Sequence, residues 1–558
     1  MTAKTRLELT WIGKDNRPRV EPRILIEDER LSHHAATRRE GDMFDNVLIH
    51  GDNLLALRAL EQDFTGKVKC VFIDPPYNTG SAFEHYDDGL EHSIWLSMMR
   101  DRLEIIRRLM SEDGSLWVTL DDNEAHYFKV MCDEIFGRRN FVANAIWQKK
   151  YTVANDAKWL SESHDHVLVY ALDKERWRPN RLSRSDAMND RYRNPDGHPK
   201  GPWKATPLYA KRTGSEKEKA FSFTFKNGVT WTPPRGTSPR FPADTLRRMD
   251  ENDEIWFGAD GQAGPSRKTF LSELKIEGPP SPTVWLHSEV GHNHEAREEV
   301  KAANPEDPFD TPKPEKLIRR VLELATNPGD LVLDTFAGSG TTGAVAHKMG
   351  RRWIMAELGA HCTTHIVPRL NKVIDGTDSG GVTAAFDWKG GGGYRYYRLA
   401  PSLMEKDSFG QWVISKDYDA ARLAEAMCKH LGFTYAPSDE HYWMHGRSSE
   451  ADFLYVTTNS LTHDQLKAIS EEVGPDRSLL ICCRAFQGAH AADFTNLTIT
   501  KIPSAILDRC EWGRDDYSLK IAALPMAEDD PEPDAEPPPR RGSAAANQPG
   551  LFGSEDAE

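Results

Sequence analysis

No run of about 18 apolar residues, the length a bilayer-spanning helix needs, occurs in the 558 residues, and the mean hydropathy is −0.62. Membrane insertion is therefore not expected. The opening MTAKTRLELTWIGKD lacks the apolar core of a secretory signal, which predicts a cytoplasmic location. Cysteine is scarce. The seven (Cys70, Cys132, Cys362, Cys428, Cys482, Cys483, Cys510) include no CxxC pair, which argues against a disulfide framework or a cysteine-built zinc site and predicts buried, reduced thiols. A GxxxxGK[ST] phosphate loop is missing too, so the chain is not itself an ATP-driven motor. Positive charge is in deficit, with a net charge of −15 at pH 7, which at first sight disfavours a polyphosphate partner.

That deficit is unevenly spread. Residues 528–558 hold nine acids against Arg540 and Arg541, whereas residues 171–240 hold 16 Lys plus Arg against 7 Asp plus Glu. A basic centre and an acidic tail lie beneath the average.

Residues 1–45 are polar, rich in Arg and aperiodic, and read as an N-terminal arm. From residue 46 strands alternate with helical spacing: Val47-Leu48-Ile49, the turn His50-Gly51-Asp52-Asn53, a Leu-rich helix, and the strand Val68–Ile73. A helix over 94–110 and a strand over 116–120 follow. The pattern returns where Leu331–Asp334 precedes a Gly-rich turn, a helix to Lys348 and a strand over 353–356. Strand, helix, strand is the unit of a parallel sheet with crossovers, so the predicted class is α/β. The sheet domain is expected in two halves, 46–170 and 301–380. Between them, 171–300 reads as an inserted domain with the basic stretch and tryptophans at 177, 203, 231, 256 and 285. A small α/β domain over 381–525 and a disordered acidic tail over 526–558 complete the reading.

Two constellations carry chemistry. Asp334-Thr335-Phe336-Ala337-Gly338-Ser339-Gly340-Thr341-Thr342-Gly343 follows an apolar strand and opens a helix, with the GxGxxG spacing used where a ligand approaches the backbone. Glu357 closes the next strand, where a carboxylate accepts hydrogen bonds from ribose hydroxyls. This pattern serves dinucleotides and S-adenosylmethionine alike. Asp74-Pro75-Pro76-Tyr77 directly follows Val68–Ile73, at the carboxyl edge where open α/β sheets place ligands. Its prolines remove two N–H donors and fix φ, so the turn offers the Asp74 carboxylate and the Pro75 carbonyl beside an aromatic ring. Acceptors without donors suit an exocyclic amine. Adenine's amine lone pair is delocalised into the ring; two acceptors on its N–H bonds favour tetrahedral geometry and free the pair to attack a methyl sulfonium. The Tyr77 ring would stack on a base turned out of the duplex.

These residues resemble the β class of amino-methylating DNA methyltransferases, in which the Asp-Pro-Pro-Tyr half precedes the target-recognition domain and the Phe-x-Gly-x-Gly half follows it. The similarity runs over about residues 46–378. It includes His50-Gly51-Asp52-Asn53-Leu54, Asp74 to Tyr77 with Asn78-Thr79-Gly80, Ile146-Trp147-Gln148-Lys149 and Thr311-Pro312-Lys313-Pro314-Glu315. More narrowly, Tyr77-Asn78-Thr79-Gly80, Trp147-Gln148-Lys149-Lys150 and Gly393-Tyr394-Arg395-Tyr396-Tyr397-Arg398-Leu399 are similar to modification subunits of type III restriction systems. The resemblance implies a permuted Rossmann-like, S-adenosylmethionine-dependent methyltransferase sheet acting on adenine N6 in double-stranded DNA. It assigns catalysis to Asp74, Pro75, Pro76 and Tyr77, and the cofactor to Asp52, Lys313, Asp334, Phe336, Ala337, Gly338, Gly340, Thr341 and Glu357. Asn78, Trp147 and Lys149 fall near the target base or DNA. A separate helicase-nuclease subunit is the implied partner for restriction.

Plainer roles compete at several positions. Asp52 is also a candidate helix cap, Trp147 a candidate core residue and Lys313 a candidate solvated residue. His164 and His166 suggest a metal pair, but no third ligand stands out, so a structural role is the reading and no metal is expected. Cytosine N4 methylation poses the same amine problem, and a non-catalytic DNA-binding specificity subunit is the alternative from another class. No Pro-Cys nucleophile of the cytosine-C5 type occurs. The C-terminal domain is a candidate for homodimer formation. Gln548-Pro549-Gly550-Leu551-Phe552 resembles a peptide that docks on the bacterial sliding clamp.

Overall fold

The computed structural model describes residues 8–77, 88–154, 157–184, 186–213, 215, 218, 220–274, 278–309, 311–487 and 493–518. Asn78, the clamp-like peptide and the acidic tail lie outside the described residues.

One eleven-stranded sheet organises the chain. Its strands are β1 (Leu25–Glu27), β2 (His33–His34), β3 (Asn46–His50), β4 (Val68–Ile73), β5 (Met110–Leu120), β6 (Phe141–Gln148), β7 (His164–Ala171), β8 (Val284–Trp285), β9 (Leu331–Asp334), β10 (Arg352–Glu357) and β11 (Gly393–Leu399). The spatial order is β1-β11-β3-β10-β9-β4-β5-β7-β6-β8, with β2 also on β11. From β11 to β5 the six strands are parallel. At the centre β9 lies beside β4, pairing Val332 with Cys70 and Leu333 with Val71, so the two sequence halves meet at this seam. Neighbouring strands joined by distant crossovers make a topological switch point, and the crevice beyond their carboxyl ends is where ligands bind.

The central strands are apolar runs because both faces are covered. Cys70 and Phe72 face a core with helices α4 (Glu315–Ala325), α5 (Thr341–Lys348) and α6 (Val367–Ile374). Val71 and Ile73 face a second core with α1 (Asn53–Phe64), α2 (Asp88–Leu109) and α3 (Ala125–Cys132). This is the predicted α/β class, here as helices on both faces of one sheet, with the Asp74 half preceding the Gly-rich half.

Several boundaries differ from the sequence reading. Residues 1–45 are more than an arm: β1 and β2 pair with β11 at the sheet edge. Residues 393–399, assigned to the accessory domain, form β11 of the main sheet, because alternate Tyr394 and Tyr396 are buried against it. The insert returns β8 to the sheet, where Trp285 pairs with Trp147. Trp177 and Trp285 therefore pack in the main core against Trp117, rather than within the insert. The rest of the insert has its own small core of Leu208, Phe225, Leu246, Met249 and Ile255, under a three-stranded sheet and the helix Ala243–Glu251. The C-terminal unit is a five-stranded sheet with helices Ala420–Leu431 and His463–Val473. All seven cysteines are buried and unpaired. Among the described residues no helix is long and apolar enough to cross a membrane.

Candidate active site

A cleft of about 600 Å³ opens beyond the carboxyl ends of β4, β9 and β10, within the usual size of small-molecule sites. Asp74, Pro75, Pro76, Tyr77, Lys149, Lys313, Asp334, Phe336, Ala337, Gly338, Thr341 and Glu357 line it together.

β4 delivers Asp74 to the cleft floor. Thr119 Oγ1 of β5 donates to Asp74 Oδ1 at 2.5 Å, and Lys313 Nζ ion-pairs with Oδ2. The turn is fixed from behind, where the buried Trp95 indole of α2 donates to the Pro76 carbonyl at 2.8 Å. Among the described residues no donor reaches the Pro75 carbonyl. Tyr77 is half-buried, with its hydroxyl 3.3 Å from Asp165 Oδ2 and Lys313 Nζ 5.1 Å from its ring centroid. Burial and the carboxylates of Asp74 and Asp165 hold the Tyr77 phenol well above its ordinary value, so it is neutral. Asp165 Oδ1 in turn bonds Lys149 Nζ at 2.6 Å. Burial raises the Asp165 carboxyl, against the pull of Lys149 and Lys313.

β9 and β10 build the opposite half. Asp334 is buried and accepts from the Phe336 N–H at 3.0 Å and from Thr342 Oγ1 at 2.5 Å, which ties the Gly-rich loop to α5. Burial pushes its carboxyl up to about 7 despite those two donors. Gly338 has φ +52° and donates to Glu357 Oε2 at 2.9 Å. Gly340, φ +74°, starts α5 without lining the cleft; a Cβ there would lie 2.8 Å from Ile366 Cγ2, so a side chain is excluded twice over. Burial opposes ionisation of Glu357, yet His361 and the amides of Gly359 and Gly338 outweigh it and keep the carboxyl below its ordinary value. Glu357 is thus a charged acceptor at the rim.

Besides Gly340, two more predicted site residues lie outside the cleft lining. Asp52 is buried and caps α1: Oδ1 accepts from the Leu54 and Leu55 N–H groups at 2.9 and 3.1 Å, and Oδ2 from Tyr517 N–H at 2.9 Å with Arg102 Nη2 at 3.4 Å. With both oxygens engaged it is outside the cleft lining. Trp147 is fully buried in the main core, and its indole donates to the Gly291 carbonyl at 3.0 Å. Conversely, Asp165 was missed, although alternation along His164-Asp165-His166 puts it on the face opposite the histidines. Asn293 and Arg297 of the helix Asn293–Ala303, and His361 beside Glu357, also line the cleft.

A glycine turn with positive φ, a charged carboxylate for hydroxyl donors and a second carboxylate across the cleft fit a nucleoside-bearing cofactor. The family model of DNA methylases matches residues 68–367, which span every strand that contributes to this cleft. The chain belongs to the DNA methylase family. Over 465 residues it is 29% identical to the probable type III restriction-modification enzyme HindVI Mod subunit of Haemophilus influenzae, covering 72% of the chain and 60% of that relative. Over 373 residues it is 31% identical to the StyLTI Mod subunit of Salmonella typhimurium, covering 60% and 55%. The chain thus spans little more than half the length of these two relatives. A solved structure, the cytosine-N4-specific PvuII DNA methyltransferase, aligns at 15% identity over 60% of the chain and 89% of its own, with a TM-score of 0.33. The matched region holds both chemical constellations of this DNA methylase.

Proposed function

We propose that the chain transfers a methyl group from S-adenosylmethionine to the N6 amine of an adenine turned out of double-stranded DNA. The observation that carries this reading is the convergence of Asp74, the Pro75 carbonyl and Tyr77 with Glu357 and the Gly338 turn in one cleft. Glu357 and the Gly-rich loop, with Lys313 at the junction, would hold the cofactor. When bound, the cofactor supplies a methyl group activated on a sulfonium. Asp74 and Pro75 accept the two N–H bonds of the amine and direct its lone pair at the methyl carbon. Lys313 occupies Asp74 Oδ2, so arrival of the amine displaces or shares that contact. As the nitrogen takes the methyl group from sulfur, Asp74 or water would take up the surplus amine proton. Tyr77, steadied by Asp165 and Lys149, stacks on the extruded base.

The similarity to Mod subunits supports a modification role with a separate restriction subunit. The basic insert supports contact with DNA phosphates. Incubation with unmethylated plasmid and methyl-labelled cofactor, followed by nucleoside analysis, tests the reading. N6-methyladenine should form and should vanish in Asp74→Ala; N4-methylcytosine alone, or no label, overturns it.

A further inference from the structure

Outside the cleft, on the other face of β7, three metal-ligating groups converge. Asp122 lies in the turn after β5, and His164 and His166 stand two apart on β7, hence on one side of the sheet. Their ligand atoms all lie within 4.8 Å of one another. His166 Nε2 is 2.7 Å from Asp122 Oδ1, and the two histidine rings are 5.3 Å apart. His126, one helical turn beyond Asp122 on α3, brings its Nε2 to 3.9 Å from the same Asp122 oxygen and its ring to 5.5 Å from that of His166.

We propose that Asp122, His164 and His166, with His126 alongside, bind a divalent transition metal of the zinc type. Imidazole nitrogens with one carboxylate suit zinc and its borderline neighbours, whereas calcium and magnesium take oxygen ligands. Zinc at about 2.0–2.1 Å from each ligand spaces neighbouring ligand atoms by about 3.4 Å, so the Asp122–His166 hydrogen bond opens as the metal enters. The exposed Asp122 and half-buried His164 have room to make that adjustment.

Asn144 supplies the supporting interaction. Its amide nitrogen lies 2.8 Å from His166 Nδ1, while its Oδ1 is buried with no partner among the described residues. With the nitrogen facing the ring, Nδ1 accepts, Nε2 carries the proton and donates to Asp122. Turning the amide makes Oδ1 accept from Nδ1–H, the tautomer in which the Nε2 lone pair is available to a metal ion shared with Asp122. The metal would join the β5–α3 turn to β7, beside the strand position that aims Asp165 at Tyr77 and Lys149.

The test uses the full chain, stripped by chelator and titrated with Zn²⁺ by calorimetry, with melting followed in parallel. Wild type should bind one zinc ion more than the Asp122→Asn/His164→Gln variant, or bind it at least about tenfold more tightly. Zinc should raise the melting temperature of wild type and leave that of the Asp122→Asn/His164→Gln variant unchanged. His292→Gln/His294→Gln, in a separate imidazole group near Tyr151, should keep the site. Melting curves in chelator check that each variant folds, and His164→Gln alone serves if the double variant does not. No zinc binding by wild type, equal binding by the folded variant, or equal competition by Mg²⁺ overturns the proposal.

Discussion

Lys313 ion-pairs with Asp74 across 239 positions of sequence, joining the turn before α4 to the end of β4. The contact closes the seam between β9 and β4 on the ligand side and orients the carboxylate that the proposed chemistry needs. A hydrogen bond to a charged group contributes about 1.5–3 kcal/mol. Lys313→Met should therefore lower kcat by about 10- to 100-fold, measured with saturating DNA and labelled cofactor. An unchanged kcat would show that Asp74 is oriented without Lys313.

Asp74→Asn keeps the shape but replaces one acceptor with a donor aimed at the amine. Removal of one electrostatic partner of a transition state costs about 10²–10³ in kcat. Cofactor affinity, read by calorimetry, should stay within about twofold of wild type. Equal losses of affinity and turnover would instead place Asp74 in cofactor binding.

Tyr77 has separable parts. Stacking of a base on an aromatic ring contributes about 1–3 kcal/mol, whereas the 3.3 Å contact between its hydroxyl and Asp165 is a weak one. Tyr77→Ala should weaken productive DNA binding by about 5- to 150-fold, and Tyr77→Phe by only a few-fold. A mismatch opposite the target adenine, which lowers the cost of extrusion, should partly rescue Tyr77→Ala. KM for matched and mismatched duplexes checks this.

Much of the cleft was legible because its residue types are chemically unusual. A carboxylate followed by two prolines and a tyrosine, and a Gly-rich turn after an apolar strand, are conspicuous in any sequence, and both line one cleft at the carboxyl edge of the sheet. Asp52 and Trp147 were harder for a physical reason. An Asp before a Leu-rich helix satisfies either a cap or a ligand, and the Tyr517 N–H that completes its shell comes from 465 positions away. Whether a strand tryptophan faces a ligand or a core depends on the layer above it, here the carbonyl of Gly291. The third metal-ligating group, Asp122, was hidden likewise: β5 and β7 pair antiparallel, so only the fold brings residue 122 to residue 166.

Glu315, at the first turn of α4, offers a stability test. Its carboxylate accepts from Lys348 Nζ at 3.0 and 2.8 Å, Arg369 Nη2 at 2.9 Å and the Val382 N–H at 2.9 Å, all buried. Removing Glu315 leaves the buried Arg369 without its carboxylate while Lys348 keeps Asp378 at 2.5 Å, and breaking a buried pair in this way costs about 3–5 kcal/mol. Glu315→Ala should lower the urea midpoint of the sheet domain accordingly, while Lys348→Met/Glu315→Leu should recover part of the loss. Additive losses in that double variant would refute the coupling.

Asp334 predicts a pH dependence of definite sign. Its folded carboxyl sits at about 7, above the ordinary 3.8, chiefly through burial. Its stabilising contribution is therefore complete below about pH 4 and is lost as pH rises through 7, because ionisation is easier in the unfolded chain. Asp334→Asn cannot ionise and keeps an oxygen to accept from Thr342 and Phe336. Its melting temperature relative to wild type should thus climb between pH 4 and 8, towards a ceiling of about 4 kcal/mol in free energy, since each tenfold change in proton affinity corresponds to about 1.36 kcal/mol. Glu299, also raised to about 7, follows the same course in both proteins, so the difference between them isolates Asp334. A difference independent of pH would mean that Asp334 is ionised in the folded chain throughout this range.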